Sequence, residues 1–326
     1  MRRIIGNMRR FLSFDNVGLI PKFNNIHSRL NTNIQIKLGK DLFNTPFIPA
    51  NIEAIGSKLA DICKHRGSPI IFHKFAPIDQ HLKWVKEFPN AYVSIGVKID
   101  NIDTLYYAGY KRFCIDIAHG HSQSVIDTIK KIKEIDSNNQ VIAGNVCTYQ
   151  SVFDLAKAGA DIIKIGVGPA SASITRTMTG VGIPQFSAIQ ECYRAKMHLL
   201  EYDIHVHLIA DGGIRSPRDA VLALAAGADG VMMGAIFAKT FESDIVKHGI
   251  GYKTYGIYKG QTFNEFMGKY VRHINNHDTN VYVEITKSAN DIFDEYEGGL
   301  RSALVYSGTD NINDFKKNAE IFEDMN

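Results

Sequence analysis

From residue 46 onward, short β-branched runs alternate with stretches whose apolar residues recur every three to four positions. Eight runs read as strands: Pro46–Ala50, Ile70–His73, Tyr92–Ile95, Phe113–Asp116, Val141–Ala143, Ile162–Ile165, His207–Asp211 and Gly230–Met233. Helical patterns separate them, as in Ser122–Ile135, where Val125, Ile126, Ile129 and Ile132 form one stripe. Such alternation is the mark of parallel strands joined by crossover helices, and eight units close naturally into a ring. The pattern therefore predicts an α/β protein, a (β/α)8 TIM barrel, as a single domain over residues 1–326. An internal echo agrees. Ala108-Gly109, Ala158-Gly159 and Ala226-Gly227 each end a helical pattern, and seven residues after each glycine comes Asp116, Gly166 or Gly234 at a strand end. A glycine in a left-handed turn stops the helix and the strand follows at fixed length. An open three-layer sheet would show the same echo and stands as the alternative.

Two regions break the alternation. Phe241 to Ala289 is rich in Gly, Tyr, Asn and His and is expected to form a flap or lid over the barrel mouth at about 241–289, with a strand-like run at Tyr282–Ile285. A helix over Ala289–Glu297 follows, ended by Gly298-Gly299. The opening residues 1–13 carry Arg2, Arg3, Arg9 and Arg10 and read as a flexible basic end, with an organellar targeting segment as the competing reading.

Composition changes this picture little. Hydrophobic content of 45% and charged content of 22% suit a soluble globular enzyme. The net charge of +3 is owed to those four terminal arginines, which argues against a nucleic-acid-binding face. No apolar run approaches the length of a membrane span. Cys63, Cys114, Cys147 and Cys192 form no CxxC pair and read as reduced thiols in a cytoplasmic protein, without disulfides or a zinc site.

Candidate chemistry gathers at the strand ends, where barrels of this kind carry their sites. The ends present Asn51, His73-Lys74, Asp116 with His119-Gly120-His121, Gly144-Asn145, the loop from Gly166 to Arg176, Asp211-Gly212-Gly213 and Gly234-Ala235. The loop after the sixth strand turns through Gly166, Gly168 and Pro169 and then alternates hydroxyls at Ser171, Ser173, Thr175 and Thr177, which suits a phosphate or a hydroxyl beside a reacting carbon. Loops after the seventh and eighth strands commonly cradle phosphate through backbone amides, and a carboxylate such as Asp211 suits a ribose diol. The competing reading makes Asp211-Gly212-Gly213 a cap for a helix starting near Ser216-Pro217. Lys74 and Asp116 could likewise be a plain ion pair, and His119 and His121 are poor evidence for metal.

In order along the chain, these stretches resemble the IMP dehydrogenase/GMP reductase family, the bacterial GMP reductases most of all. The matching runs are Phe14–Pro21, Ser28-Arg29, Pro46–Asn51, His73-Lys74, Ile115–Ser122, Val141–Val146, Ala158–Pro169, Thr179–Gln185, Ile209–Ile214 and Gly298–Ser302. The strands leave no gap for the CBS-domain insert of many IMP dehydrogenases, which favours the reductase branch. The resemblance implies a homotetrameric barrel that binds a purine nucleoside monophosphate, with NADPH as cofactor and a monovalent cation as a candidate at Gly166 and Gly168. Phosphate would be held by Ser171, Gly213, Gly234 and Tyr255, and the ribose by Asp211, with Gly212, Ala235 and Asn51 completing the substrate site. Lys74 and Asn145 would face the cofactor. Lys74, Asp116 and Thr175 would surround the reacting base as GMP is converted to IMP and ammonia.

The match breaks where the chemistry lies. The family's nucleophilic cysteine falls at Ser173, and an aliphatic hydroxyl has no ionised fraction comparable to a thiol's near neutrality. The flap's catalytic glutamate has Asp278 as its sole acidic counterpart in Val271–Asn280, and position 235 is alanine where related proteins often carry serine or glycine. Three readings follow: a GMP reductase-like enzyme without its covalent step, a divergent relative acting on a modified purine nucleotide without a covalent intermediate, and an inactive nucleotide-binding paralogue.

Overall fold

The computed structural model describes residues 9–97, 101–169, 179–245, 247–250, 253–258 and 281–324. Eight parallel strands form its centre: β1 (Phe47–Pro49), β2 (Ile71–Phe72), β3 (Tyr92–Ile95), β4 (Arg112–Asp116), β5 (Gln140–Val146), β6 (Ile162–Ile165), β7 (His207–Asp211) and β8 (Gly230–Met233). Seven ladders join them in the order β2-β3-β4-β5-β6-β7-β8-β1, so the chain circles and returns β1 beside β8. Ser68, ahead of β2, donates its Oγ to the Phe47 carbonyl at 2.8 Å and ties the first two strands across the remaining seam. This is the (β/α)8 barrel expected from the alternation, and the open sheet is set aside.

Crossover helices pack outside: α1 (Ser57–Arg66), α2 (Ile78–Glu87), α3 (Ile102–Tyr107), α4 (Gln123–Ile135), α5 (Tyr149–Lys157), α6 (Gln185–Leu199) and α7 (Pro217–Ala225). The stripe expected on α4 is its buried face, with Val125, Ile129 and Ile132 fully covered and Ile126 packed beside them. The glycines that stop α3, α5 and α7 adopt φ of 119° (Gly109), 110° (Gly159) and 118° (Gly227), a region open to glycine.

At two of the three turns the echo extends two residues past the glycine. After Gly159 and Gly227 comes Ala-Asp, and each aspartate pins the start of the preceding strand. Asp161 accepts the Val141 amide at 2.8 Å and Lys133 Nζ at 2.8 Å; Asp229 accepts the Leu208 amide at 2.7 Å and Lys196 Nζ at 2.7 Å. Lys316 adds a second ammonium to Asp229 at 2.6 Å. These pairs fix the amino-terminal end of the barrel and leave the carboxyl ends free for other chemistry.

After β8 comes a short helix, α8 (Ala235–Ala238), then an antiparallel sheet of Lys247–Ile250, Lys253–Tyr258 and Val281–Glu284. The last of these is the strand-like run expected near residue 282. The final long helix corrects the sequence reading: α9 spans Ala289–Tyr306 and passes straight through Gly298-Gly299. A Cβ on Gly299 would stand 2.9 Å from Pro217 Cβ at the start of α7, so this glycine serves close helix packing and not termination. The chain ends meet as well, Val17–Leu19 pairing antiparallel with Ile321–Glu323, while Leu12 and Ser187 exchange hydrogen bonds.

Candidate functional site

Asp116, Gly144 and Lys164 lie in one row of register across β4, β5 and β6. Gly144 contributes no side chain, and a Cβ there would stand 2.5 Å from Lys164 Cβ. The space this leaves is where the outer members of the row meet. Lys164 Nζ stands 2.6 Å from Asp116 Oδ1 and 2.6 Å from Asp211 Oδ2 at the end of β7. Lys164 is 1% exposed and Asp116 3%. Burial alone would lower the lysine pKa; the two carboxylates outweigh it and hold the ammonium above its ordinary value. A buried cation so costly to desolvate is retained through its two anionic partners.

The neighbouring strand ends aim the rest. A bulge between Gly144 and Val146 shifts the β5–β6 register at Asn145, the device by which a strand redirects a side chain. Asn145 Nδ2 then donates to Asp211 Oδ2 and to the Gly166 carbonyl, both at 2.9 Å. Gln185, at the start of α6 and buried, donates to the carbonyls of Ile165 at 2.8 Å and Asp211 at 3.2 Å, tying the ends of β6 and β7 together. Gly166 has φ of 148°, and a Cβ on it would lie 1.9 Å from the Asp211 carbonyl, so the turn after β6 sits directly on the end of β7. Beyond Asp211, Gly212 (φ 97°) and Gly213 (φ 79°) carry the chain back.

Three buried acceptors here lack a hydrogen-bond partner among the described residues: Asp116 Oδ2, Asn145 Oδ1 and Gln185 Oε1. Asp211 Oδ1 has none either, whereas its Oδ2 takes two donors. Buried polar groups are nearly always satisfied; of these groups Asp211, its side chain 18% exposed, is the one a ligand donor can reach.

On the other side of the mouth, the ends of β2, β3 and β4 border a cleft of about 710 Å³. Its walls are largely apolar, from Phe75, Ile78, Ile95, Val97, Ile102 and Leu105, with Lys74, Ser94, His81 and His119 as polar members. Burial lowers the pKa of both His73 and His81 to about 4. His81 Nδ1 is buried and unpartnered among the described residues. Lys74 Nζ donates to the main-chain carbonyl of Asp116 at 2.9 Å.

The structure therefore brings Lys74, Asp116, Asn145, Gly166, Asp211, Gly212 and Gly213 to one end of the barrel. Gly234 and Ala235 follow β8, Gly168 turns with φ of 81°, and Asn51 follows β1 with its amide donating to Ser94 Oγ at 2.8 Å. The helix-cap reading of Asp211 does not hold, because α7 is capped by Ser216, with Pro217 at its first turn, and Asp211 is engaged by Lys164 and Asn145. Nor is the Lys74–Asp116 pair a simple one, since the carboxylate is bound by Lys164. His121 bonds Asp154 at 2.8 Å. Ser171, Ser173, Thr175 and Asp278 fall outside the described residues; Tyr255 lies on the strand Lys253–Tyr258, its side chain outside them too. Among the described residues, no group of three or more His, Cys, Asp or Glu is placed to hold a metal, and no helix is long and apolar enough to cross a membrane. Lys164 and Gln185 were missed as site residues. The signal for Lys164 was a lysine inside the apolar run Ile162–Ile165, since strands of an all-parallel sheet are covered on both faces.

The IMP dehydrogenase / GMP reductase domain matches residues 11–325. The chain belongs to the IMP dehydrogenase/GMP reductase family. It is 32% identical to the GMP reductase of Lactococcus lactis subsp. lactis over 326 residues, covering 93% of this chain and 92% of that protein. With the GMP reductase of Clostridium acetobutylicum it shares 33% over 316 residues, 92% of each. With the inosine-5′-monophosphate dehydrogenase of Chlorobaculum parvum it shares 41% over 245 residues, 70% of this chain but 49% of that enzyme. The chain thus spans about half the length of that IMP dehydrogenase and nearly all of both GMP reductases.

Proposed function

We propose that the protein binds a purine ribonucleoside monophosphate across the ends of β6, β7 and β8, and that its activity is of the GMP reductase type. The observation that carries this is Asp211. One carboxylate oxygen is saturated by Lys164 and Asn145 and the other is open, beside a backbone turn through two glycines that suits a phosphate. In this reading Asp211 takes the ribose hydroxyls, and the amides of Gly213 and Gly234 take the phosphate together with Ser171 and Tyr255. Gly212, Ala235 and Asn51 line the same site, and the protein works as a homotetramer.

The cleft beside Lys74 fits a nicotinamide dinucleotide. Its apolar walls suit a planar ring, and Lys74 and His119 offer donors to polar substituents. NADPH, when bound, supplies a hydride. The chain's own residues do the rest: Asp211 orients the sugar, Lys74 and Asp116 flank the base, and Thr175 and Asp278 are the candidates to handle the proton that leaves with ammonia. A monovalent cation at Gly166 and Gly168 has less support, because the Gly166 carbonyl already accepts from Asn145.

Ser173 stands where the reaction needs a thiolate, so attack by sulfur on C2 of the purine is absent from this chain. Two measurements test the reading. GMP or IMP at a hundredfold excess over Kd stabilises the folded state by about 2.7 kcal/mol and raises the melting temperature by several degrees; no shift at millimolar purine monophosphate removes the proposal. Ser173→Cys is then expected to gain NADPH-dependent release of ammonia from GMP. If the variant binds GMP and gains nothing, the second reading gains, a divergent relative that acts on a modified purine nucleotide without a covalent intermediate.

A further inference from the structure

We propose that Lys164 is a positioning residue which, by fixing Asp211, makes the site select ribonucleotides over deoxyribonucleotides; this rests on the nucleotide reading above. Lys164 touches no ligand in this account. Its ammonium and the Asn145 amide both bind Asp211 Oδ2, at 2.6 and 2.9 Å, from two adjoining strands, β6 and the bulged end of β5. Two donors on one oxygen leave the carboxylate a single orientation, with Oδ1 bare of partners among the described residues. Asp211 is also anchored through its main chain, where the carbonyl accepts from Gln185 at 3.2 Å and presses on Gly166. Neither the carboxylate nor its backbone can turn to follow a sugar that lacks a hydroxyl.

The same nitrogen binds Asp116 Oδ1 and leaves Asp116 Oδ2 buried and unpartnered. One cation thus serves two carboxylates, and of their oxygens Asp211 Oδ1 is left for a sugar hydroxyl. A lysine whose task was only to fill the barrel would need one partner. This one reaches over Gly144, which has no side chain, across β5 to Asp116, while Asp211 stands at the end of the adjoining strand β7.

The test is calorimetric titration of the full chain with GMP, 2′-deoxy-GMP and 3′-deoxy-GMP. A hydrogen bond to a charged acceptor implies that wild type prefers GMP to at least one deoxy analogue by roughly tenfold or more. Lys164→Met is expected to weaken GMP at least tenfold and the disfavoured analogue by less than threefold, bringing their ratio towards one. Equal weakening of all three nucleotides, or no weakening, overturns the proposal. If Lys164→Met does not fold by circular dichroism, Asn145→Ala carries the test, and an unchanged ratio there overturns it. Failure of wild type to bind any of the three defeats the nucleotide reading itself; binding of all three with equal affinity by wild type defeats this inference alone.

Discussion

Gly144 shows how much of the site is decided by an atom that is not there. With a side chain at this position, the row Asp116–Gly144–Lys164 would be filled and the lysine expelled. Gly144→Ala places a Cβ 2.5 Å from Lys164 Cβ and 2.7 Å from its carbonyl oxygen. Overpacking of this kind costs about 1–3 kcal/mol, and a loss of stability accompanied by weaker GMP binding is expected in urea melts and titrations. A variant as stable as wild type with full affinity would show that the row is not the scaffold of the site. Asp116, Asn145 and Asp211 were legible in the sequence because polar residues at strand ends have little structural reason to be there. Lys164 was not, because lysine is read by habit as exposed; only closure of the barrel, which buries both faces of β6, turns that residue into the centre of the cluster. Ser173 stands out in the sequence for the opposite reason, as a departure from a motif, and lies outside the described residues.

Among the elements, α9 is where local reading failed. Two adjacent glycines in a helical pattern normally signal an end, yet here the helix continues for seven residues beyond them. The contact with Pro217 explains one glycine and not the other, and the pair yields opposite expectations. Nothing lies within 4 Å of a Cβ on Gly298, so Gly298→Ala removes backbone entropy at no steric cost and stabilises by roughly 0.5–1 kcal/mol. Gly299→Ala gains the same propensity but pushes α9 away from α7 and is expected to destabilise. Chemical denaturation of both variants decides it; the same sign for both would refute the packing explanation. The strands, by contrast, were largely readable, because β-branched runs between glycine stops leave little freedom of register. The bulge at Asn145 was not, since it depends on the neighbouring strand.

For the whole molecule, the two ends of the barrel divide the labour. The amino-terminal end is closed by Asp161 and Asp229 with their lysines; the carboxyl end keeps unpaired acceptors and the cleft. Acid should therefore act on the scaffold as a whole. His73 and His81 are buried and His207 is half-buried, and desolvation lowers the pKa of each to about 4. A depressed histidine contributes stability that is complete above its unfolded value near 6.5 and is lost as pH falls towards 4. Asp229, held below the ordinary carboxylate range by Lys316 and Lys196 despite its burial, acts with the same sign at lower pH. The urea midpoint is accordingly expected to drop between pH 6.5 and 4, and a flat midpoint across that window would show the imidazoles to be solvated.

The measurement that bears most directly on the account is a crystal structure of the protein with GMP. Density is expected for the sugar hydroxyls on Asp211 Oδ1 and for the phosphate on the amides of Gly213 and Gly234, with Lys164 still bridging Asp116 and Asp211. Nucleotide density elsewhere on the barrel, or a ribose that leaves Asp211 Oδ1 unbonded, would contradict it.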